Sequence, residues 1–144
     1  MAALILALLE EHQNALQVKD CLEGVGHDVV IADTFSQAIA LLETKKIDLV
    51  ISDVHLENGG NVFDFLRRVK KGQSTCKIPF VLFSSQPTPL AKYLADGIRT
   101  TARLLGAVVY IEMETFEAAQ FSEHINSFIT QQPLNAVKDS ELEK

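Results

Sequence analysis

The chain has 144 residues, 47% hydrophobic and 22% charged, with a net charge of −6. That length suits one domain around a single core. The acidic balance argues against a nucleic-acid surface, which needs a basic patch against phosphates. The two cysteines, Cys21 and Cys76, form no disulfide framework and fit a reducing, cytoplasmic compartment.

The first apolar run, Ala2 to Leu9, has no positive flank and meets Glu10-Glu11 without a small-residue cleavage site. It is too short to span a bilayer. It reads as a core strand, although its alanines and leucines locally favour helix. No membrane association is expected.

Short apolar runs then recur: Ala3–Leu9, Val29–Ala32, Leu49–Ser52, Phe80–Phe83 and Ala107–Ile111. Most are continuously apolar, the mark of parallel strands buried on both faces. Helical patterns separate them. The first runs from Asn14 to Gly24, with Leu16, Val18, Cys21, Leu22 and Val25 inward. The second follows Thr34. The third carries Val62, Phe65, Leu66 and Val69, with Arg67, Arg68, Lys70 and Lys71 outside or near its end. The fourth starts at Thr88-Pro89, a cap followed by a first-turn proline, and continues through Leu90, Leu94, Ile98, Ala102 and Leu105 until Gly106. The fifth opens at Thr115 with Phe121, Ile125, Phe128 and Ile129 inward.

Five strand–helix repeats predict an α/β fold with right-handed crossovers and helices on both faces of a parallel sheet. The expected strand order is 2-1-3-4-5, flavodoxin-like. Residues 1–130 make the predicted domain, and 131–144 a polar tail or linker.

In such sheets the ligand site lies beyond the strand carboxyl ends, where strand order reverses. Glu10 and Glu11 follow the first strand, Asp53 the third, and Ser84 and Ser85 the fourth; Met113 and Glu114 follow the fifth. Glu10, Glu11 and Asp53 would converge, and three carboxylates repel unless a cation sits among them. An oxygen-rich set of this kind suits Mg²⁺, with the backbone carbonyl of His55 completing it. Asp53 would then be an oxygen nucleophile for a phosphoryl group, with the Ser84 hydroxyl opposite. His12 and His55 raise a transition-metal site, but no ligand spacing supports one. Cys21 reads as core packing, Cys76 as an exposed loop thiol near Lys77, and Arg67–Lys71 as a solvated face.

The ordered set of Leu8-Leu9-Glu10-Glu11, Asp48-Leu-Val-Ile-Ser-Asp53, Ile78-Pro79-Phe-Val-Leu-Phe-Ser84-Ser85 and Gly106-Ala107-Val-Val-Tyr110-Ile111 resembles the response-regulator receiver domains of two-component signalling, the CheY-like family. The resemblance spans roughly residues 3–130. It implies Asp53 as phosphoacceptor, Ser84 as the hydroxyl that hydrogen-bonds the phosphoryl group, and Tyr110 as an aromatic switch. It also implies a histidine kinase or phosphotransfer protein as donor. Output would pass to a downstream protein at the face of the fourth helix, fifth strand and fifth helix. Such a module is no enzyme, and is a monomer or weak homodimer. The chain departs from the pattern where the family has Lys-Pro after the fifth strand: Met113-Glu114 stands there, and methionine can neither contact a phosphoryl oxygen nor pair with a carboxylate. Glu10 and Glu11 are one methylene longer than the family's aspartates. The loop after Asp53 and the segment from Gln86 to Leu105 are longer than usual. The chain is therefore read as an atypical receiver.

Two other readings compete. One is a pseudo-receiver on the same fold, unphosphorylated and acting as a protein-binding scaffold. The other is a small enzyme or flavin carrier. Against it, the loop Glu10-Glu-His-Gln-Asn14 would repel phosphate, and neither a Gly-rich phosphate loop nor a nucleophile–base pair is present.

Overall fold

The computed structural model describes residues 3–54, 62–85 and 89–141. The apolar runs become β1 (Leu4–Leu8), β2 (Asp28–Ala32), β3 (Leu49–Ser52), β4 (Phe80–Ser85) and β5 (Val109–Met113). They pair in parallel in the order β2-β1-β3-β4-β5, as the alternating pattern predicts. The helices are α1 (His12–Glu23), α2 (Phe35–Thr44), α3 (Val62–Lys71), α4 (Pro89–Tyr93), α5 (Ala95–Leu104) and α6 (Ala118–Glu141). Among the described residues no helix is long and apolar enough to cross a membrane.

Alternation along each strand divides the core into two layers. Leu6, Leu8, Val50, Phe80, Leu82 and Tyr110 point to one side, against α2, α3 and α5. Ile5, Ala7, Leu49, Ile51, Val81, Phe83 and Met113 point to the other, against α1 and α6. The rings of Phe83 and Phe121 meet tilted, with centroids 4.8 Å apart, and Phe116 packs on both. Buried on both faces, the central strands need no polar alternation, which is why they read as unbroken apolar runs.

Local signals set the helix ends. The Thr34 hydroxyl accepts the Gln37 amide at 3.1 Å, and the Gln37 side chain accepts the Asp33 amide at 2.7 Å, a reciprocal cap. At the end of α5 the Ala107 amide donates to the Ala102 carbonyl and the Gly106 amide to that of Arg103. This Schellman closure needs the left-handed backbone of Gly106, whose φ is 109°. The Ala3 amide donates to Nδ1 of buried His27, which assigns the ring proton to Nε2. That nitrogen lies 2.7 Å from Oδ1 of Asn126, so the ring ties β1 to α6.

The structure departs from the sequence reading at several places; Leu16 and Val25, expected inward, are 41% and 48% exposed. The single fourth helix is two, α4 and α5, broken at Leu94, whose backbone sits near φ −94°, ψ 4°. Leu94, on the helical repeat that was expected to face inward, is 37% exposed. Thr88, its expected cap, lies outside the described residues, as does His55. β5 starts and ends two residues later than expected, which takes Met113 into the strand. The last helix begins at Ala118 rather than Thr115, and its backbone continues past Pro133 to Glu141.

Lys70, near the end of α3 as expected, is half-buried, and its ammonium donates to the carbonyls of Cys76 at 3.1 Å and Ile78 at 2.8 Å. Burial lowers its pKa, offset in part by the charge interaction with Cys76.

Candidate functional site

Asp53 follows β3 directly, half-buried at the strand mouth. Its own amide donates to the Leu8 carbonyl at 2.9 Å, extending the β1–β3 ladder by one residue. Its carboxylate is held from two sides. Oδ1 accepts the Val54 amide at 2.7 Å, and Oδ2 accepts the Glu10 amide at 3.3 Å. This answers part of the desolvation problem of a carboxylate ending a buried strand: backbone donors meet it.

The three acidic residues are not gathered alike. Glu10 meets Asp53 through its backbone, while its side chain is exposed. Glu11 is also exposed and lines a groove of about 600 Å³ at the start of α1. Gln13, Gln17 and Asp20 share that groove, and Thr115 and Phe116 close it. Among the described residues no three His, Cys, Asp or Glu side chains are grouped to hold a metal ion. The carboxylates of Glu10, Glu11 and Asp53 are thus not assembled around one point, although each Asp53 oxygen accepts one amide and keeps a second lone pair. His12, beside them, is an exposed first-turn residue of α1.

A second polar cluster sits at the same rim. Ser52 faces Leu82 across the β3–β4 ladder, so Asp53 and Ser84 lie one and two residues further toward the strand mouths. Across the β4–β5 ladder, Leu82 faces Tyr110 and Ser84 faces Glu112. Ser84 and Tyr110 are buried, at 7% and 4% exposure. The Tyr110 hydroxyl donates to Oε2 of Glu112 at 3.2 Å. Arg99 on α5 places its guanidinium 5.3 Å from the Tyr110 ring centroid. Burial pushes the Tyr110 hydroxyl up to about 12; the Glu112 carboxylate adds to that, while the Ser84 hydroxyl and Arg99 act the other way.

Glu112 and Arg99 were not singled out from the sequence. The available signal was a charged residue two positions beyond Tyr110 in a strand-like run, which places both on one sheet face. Shifting β5 by two residues makes that reading visible.

Met113 is 8% exposed and packs in the layer that holds Phe83 and Phe121. An apolar, buried side chain thus fills the position where the resemblance expects a lysine. Beyond it, Glu114 pairs with Lys92 of α4. Cys21 is half-buried, its thiol donating to the Ala118 carbonyl at 3.3 Å, and burial raises its pKa. Cys76 is half-buried rather than exposed, and its carbonyl accepts from the Lys70 ammonium.

No family model matches the chain. Among curated proteins it is 29% identical over 112 residues to the Fimbriae Z protein of Escherichia coli K12, covering 78% of this chain and 51% of that protein. It is 28% identical over 89 residues to the phyllosphere-induced regulator PhyR of Methylorubrum extorquens, covering 60% and 32%. The chain thus spans about half, or less, of the length of these relatives. Among solved structures, the chemotaxis response regulator CheY4 of Vibrio cholerae superposes with a TM-score of 0.72 at 19% identity, over 88% of this chain and 98% of that one. A response regulator from Thermotoga maritima gives 0.73 at 23%, over 90% and 99%. NtrX from Brucella abortus gives 0.81 at 22%, over 99% of this chain but 30% of that one. These likenesses establish the fold.

Proposed function

We propose that this chain, built on the receiver fold of response regulators, is a signalling module that works through protein contacts and whose working state does not depend on phosphorylation of Asp53. One observation carries this reading. The Tyr110 hydroxyl, the group that the receiver resemblance makes responsive to phosphorylation, is already buried and bonded to Glu112. Met113, packed in the apolar layer, supplies no cation for a phosphoryl oxygen, and the described carboxylates form no metal group. Output then lies with the face of α4, α5, β5 and α6, and with the polar groove at α1.

A second reading, phosphoryl acceptance on Asp53 from a histidine kinase or phosphotransfer protein with Mg²⁺, is favoured by one fact. Asp53 and Ser84 leave the sheet at the same rim, as a nucleophile and a hydrogen-bonding hydroxyl require. Incubation of the purified chain with acetyl phosphate or phosphoramidate and Mg²⁺, followed by intact-mass measurement, separates the two. The scaffold reading expects no added phosphoryl mass. A gain of one phosphoryl group that disappears in Asp53→Asn overturns it.

A further inference from the structure

We propose that Glu112 is an internal anion that holds Tyr110 inward against Ser84, setting the α5–β5 face without any group attached to Asp53. This rests on the scaffold reading above and adds to it the residue that keeps the switch in one position.

The strand period places Tyr110 and Glu112 on one side of β5. Register then sets Ser84 of β4 directly opposite Glu112. Three polar groups therefore share one sheet face at its mouth, on the side that α5 covers. Ionised, a carboxylate accepts only, so the Tyr110 hydroxyl must donate to it, at 3.2 Å. Ser84, opposite Glu112 and diagonal to Tyr110 across the ladder, favours the ionised form of the ring.

The outer face of the ring is covered as well. Arg99 lies over it at 5.3 Å, and is itself 3.6 Å from Asp96 one turn earlier on α5. The charged groups about the ring are thus Arg99 and Asp96 of α5 and Glu112 of β5, with the Lys92–Glu114 pair past the strand end. Turning Tyr110 outward would strip Glu112 of a donor and Arg99 of its ring. A second anion arriving at Ser84 would also meet the negative charge of Glu112, its cross-strand neighbour. Glu112 is a positioning residue: it acts through Tyr110.

The composition makes the test direct. The chain has two tyrosines and no tryptophan, and Tyr93 is 85% exposed. In Tyr93→Phe protein, phenolate absorbance and tyrosine fluorescence report Tyr110 alone. The expected ionisation midpoint is about 12. Adding Glu112→Gln removes the charge and should raise the ionisation constant about tenfold, roughly one pH unit. Adding Ser84→Ala instead should move the midpoint the opposite way. At neutral pH, where no titration is needed, Glu112→Ala should raise quenching of Tyr110 fluorescence by acrylamide. Circular dichroism checks that each variant is folded. Unchanged midpoint and unchanged quenching in folded Glu112 variants overturn the inference. That readout never involves Asp53, so its failure is distinct from a phosphoryl gain in the mass assay, which overturns the scaffold reading instead.

Discussion

The amide of Glu10 donates to Oδ2 of Asp53 at 3.3 Å, joining the ends of β1 and β3 across 43 positions of chain. With the Val54 amide on Oδ1, the carboxylate is a structural acceptor before it is anything else. Asp53→Ala leaves both amides without that partner and should lower stability by about 1–3 kcal/mol. Asp53→Asn keeps one acceptor oxygen and should cost less. Urea unfolding of the two variants gives the comparison, and equal stability of Asp53→Ala and wild type would remove the structural role.

Tyr110 makes stability depend on alkaline pH. Its folded value of about 12 lies above the ordinary value of about 10. Below pH 10 the ring is neutral whether folded or unfolded, and its contribution is fully present. Between about 10 and 12 the unfolded chain loses the proton first, so stability falls as pH rises, by about 3 kcal/mol in all. Denaturant midpoints across that window should show the slope in wild type and a shallower one in Tyr110→Phe.

Met113 gives a prediction about the missing lysine. Because Met113 is buried in the apolar layer that also holds Phe83, Phe121 and Ile111, Met113→Lys places an ammonium against that layer. The expected result is a loss of about 1–3 kcal/mol, reduced to the extent that the long stem reaches the rim. The substitution should not by itself confer phosphoryl acceptance in the mass assay. A stable variant that takes up phosphate would show that only this residue kept Asp53 silent.

Lys70 and Gly106 are packed as a pair. A Cβ on Gly106 would lie 3.0 Å from Cγ of Lys70, at a backbone φ of 109°. Gly106→Ala should therefore cost about 1–2 kcal/mol from backbone strain alone, plus crowding. Lys70→Ala removes the crowding but leaves the carbonyls of Cys76 and Ile78 without their ammonium, costing about 1–3 kcal/mol. The double variant should not recover wild-type stability. Recovery would mean that crowding, not backbone strain, was the penalty.

Lys92 and Glu114 form an ion pair, but their side chains are 48% and 71% exposed. Water and salt screen such a pair, so Lys92→Ala should change stability by no more than about 1 kcal/mol. A larger loss would make this pair a structural clamp between α4 and the end of β5.

Much of the fold was legible before any coordinates. Leu49–Ser52 and Phe80–Phe83 carry apolar residues without polar alternation, and such runs need cover on both faces, which places them in the middle of a sheet. Gly106 and Thr34 marked helix ends because their chemistry is local: one supplies the left-handed backbone, the other a hydroxyl for an orphan amide. Leu94 misled because helical spacing alone does not say that a face is covered. Met113 misleads because the apolar run places β5 two residues early, so a buried strand residue reads as loop.

Read in one dimension, the chain already carries its five parallel strands, their order, and a rim where Asp53 and Ser84 end their strands. Hydrophobic period and turn chemistry act over a few neighbours, so they survive without coordinates. Packing decides that Glu112 faces Ser84, that the Tyr110 hydroxyl hydrogen-bonds Glu112, and that Glu11 lines the α1 groove. Those relations follow from register and from how helices cover the sheet, and both arise only when distant segments come together.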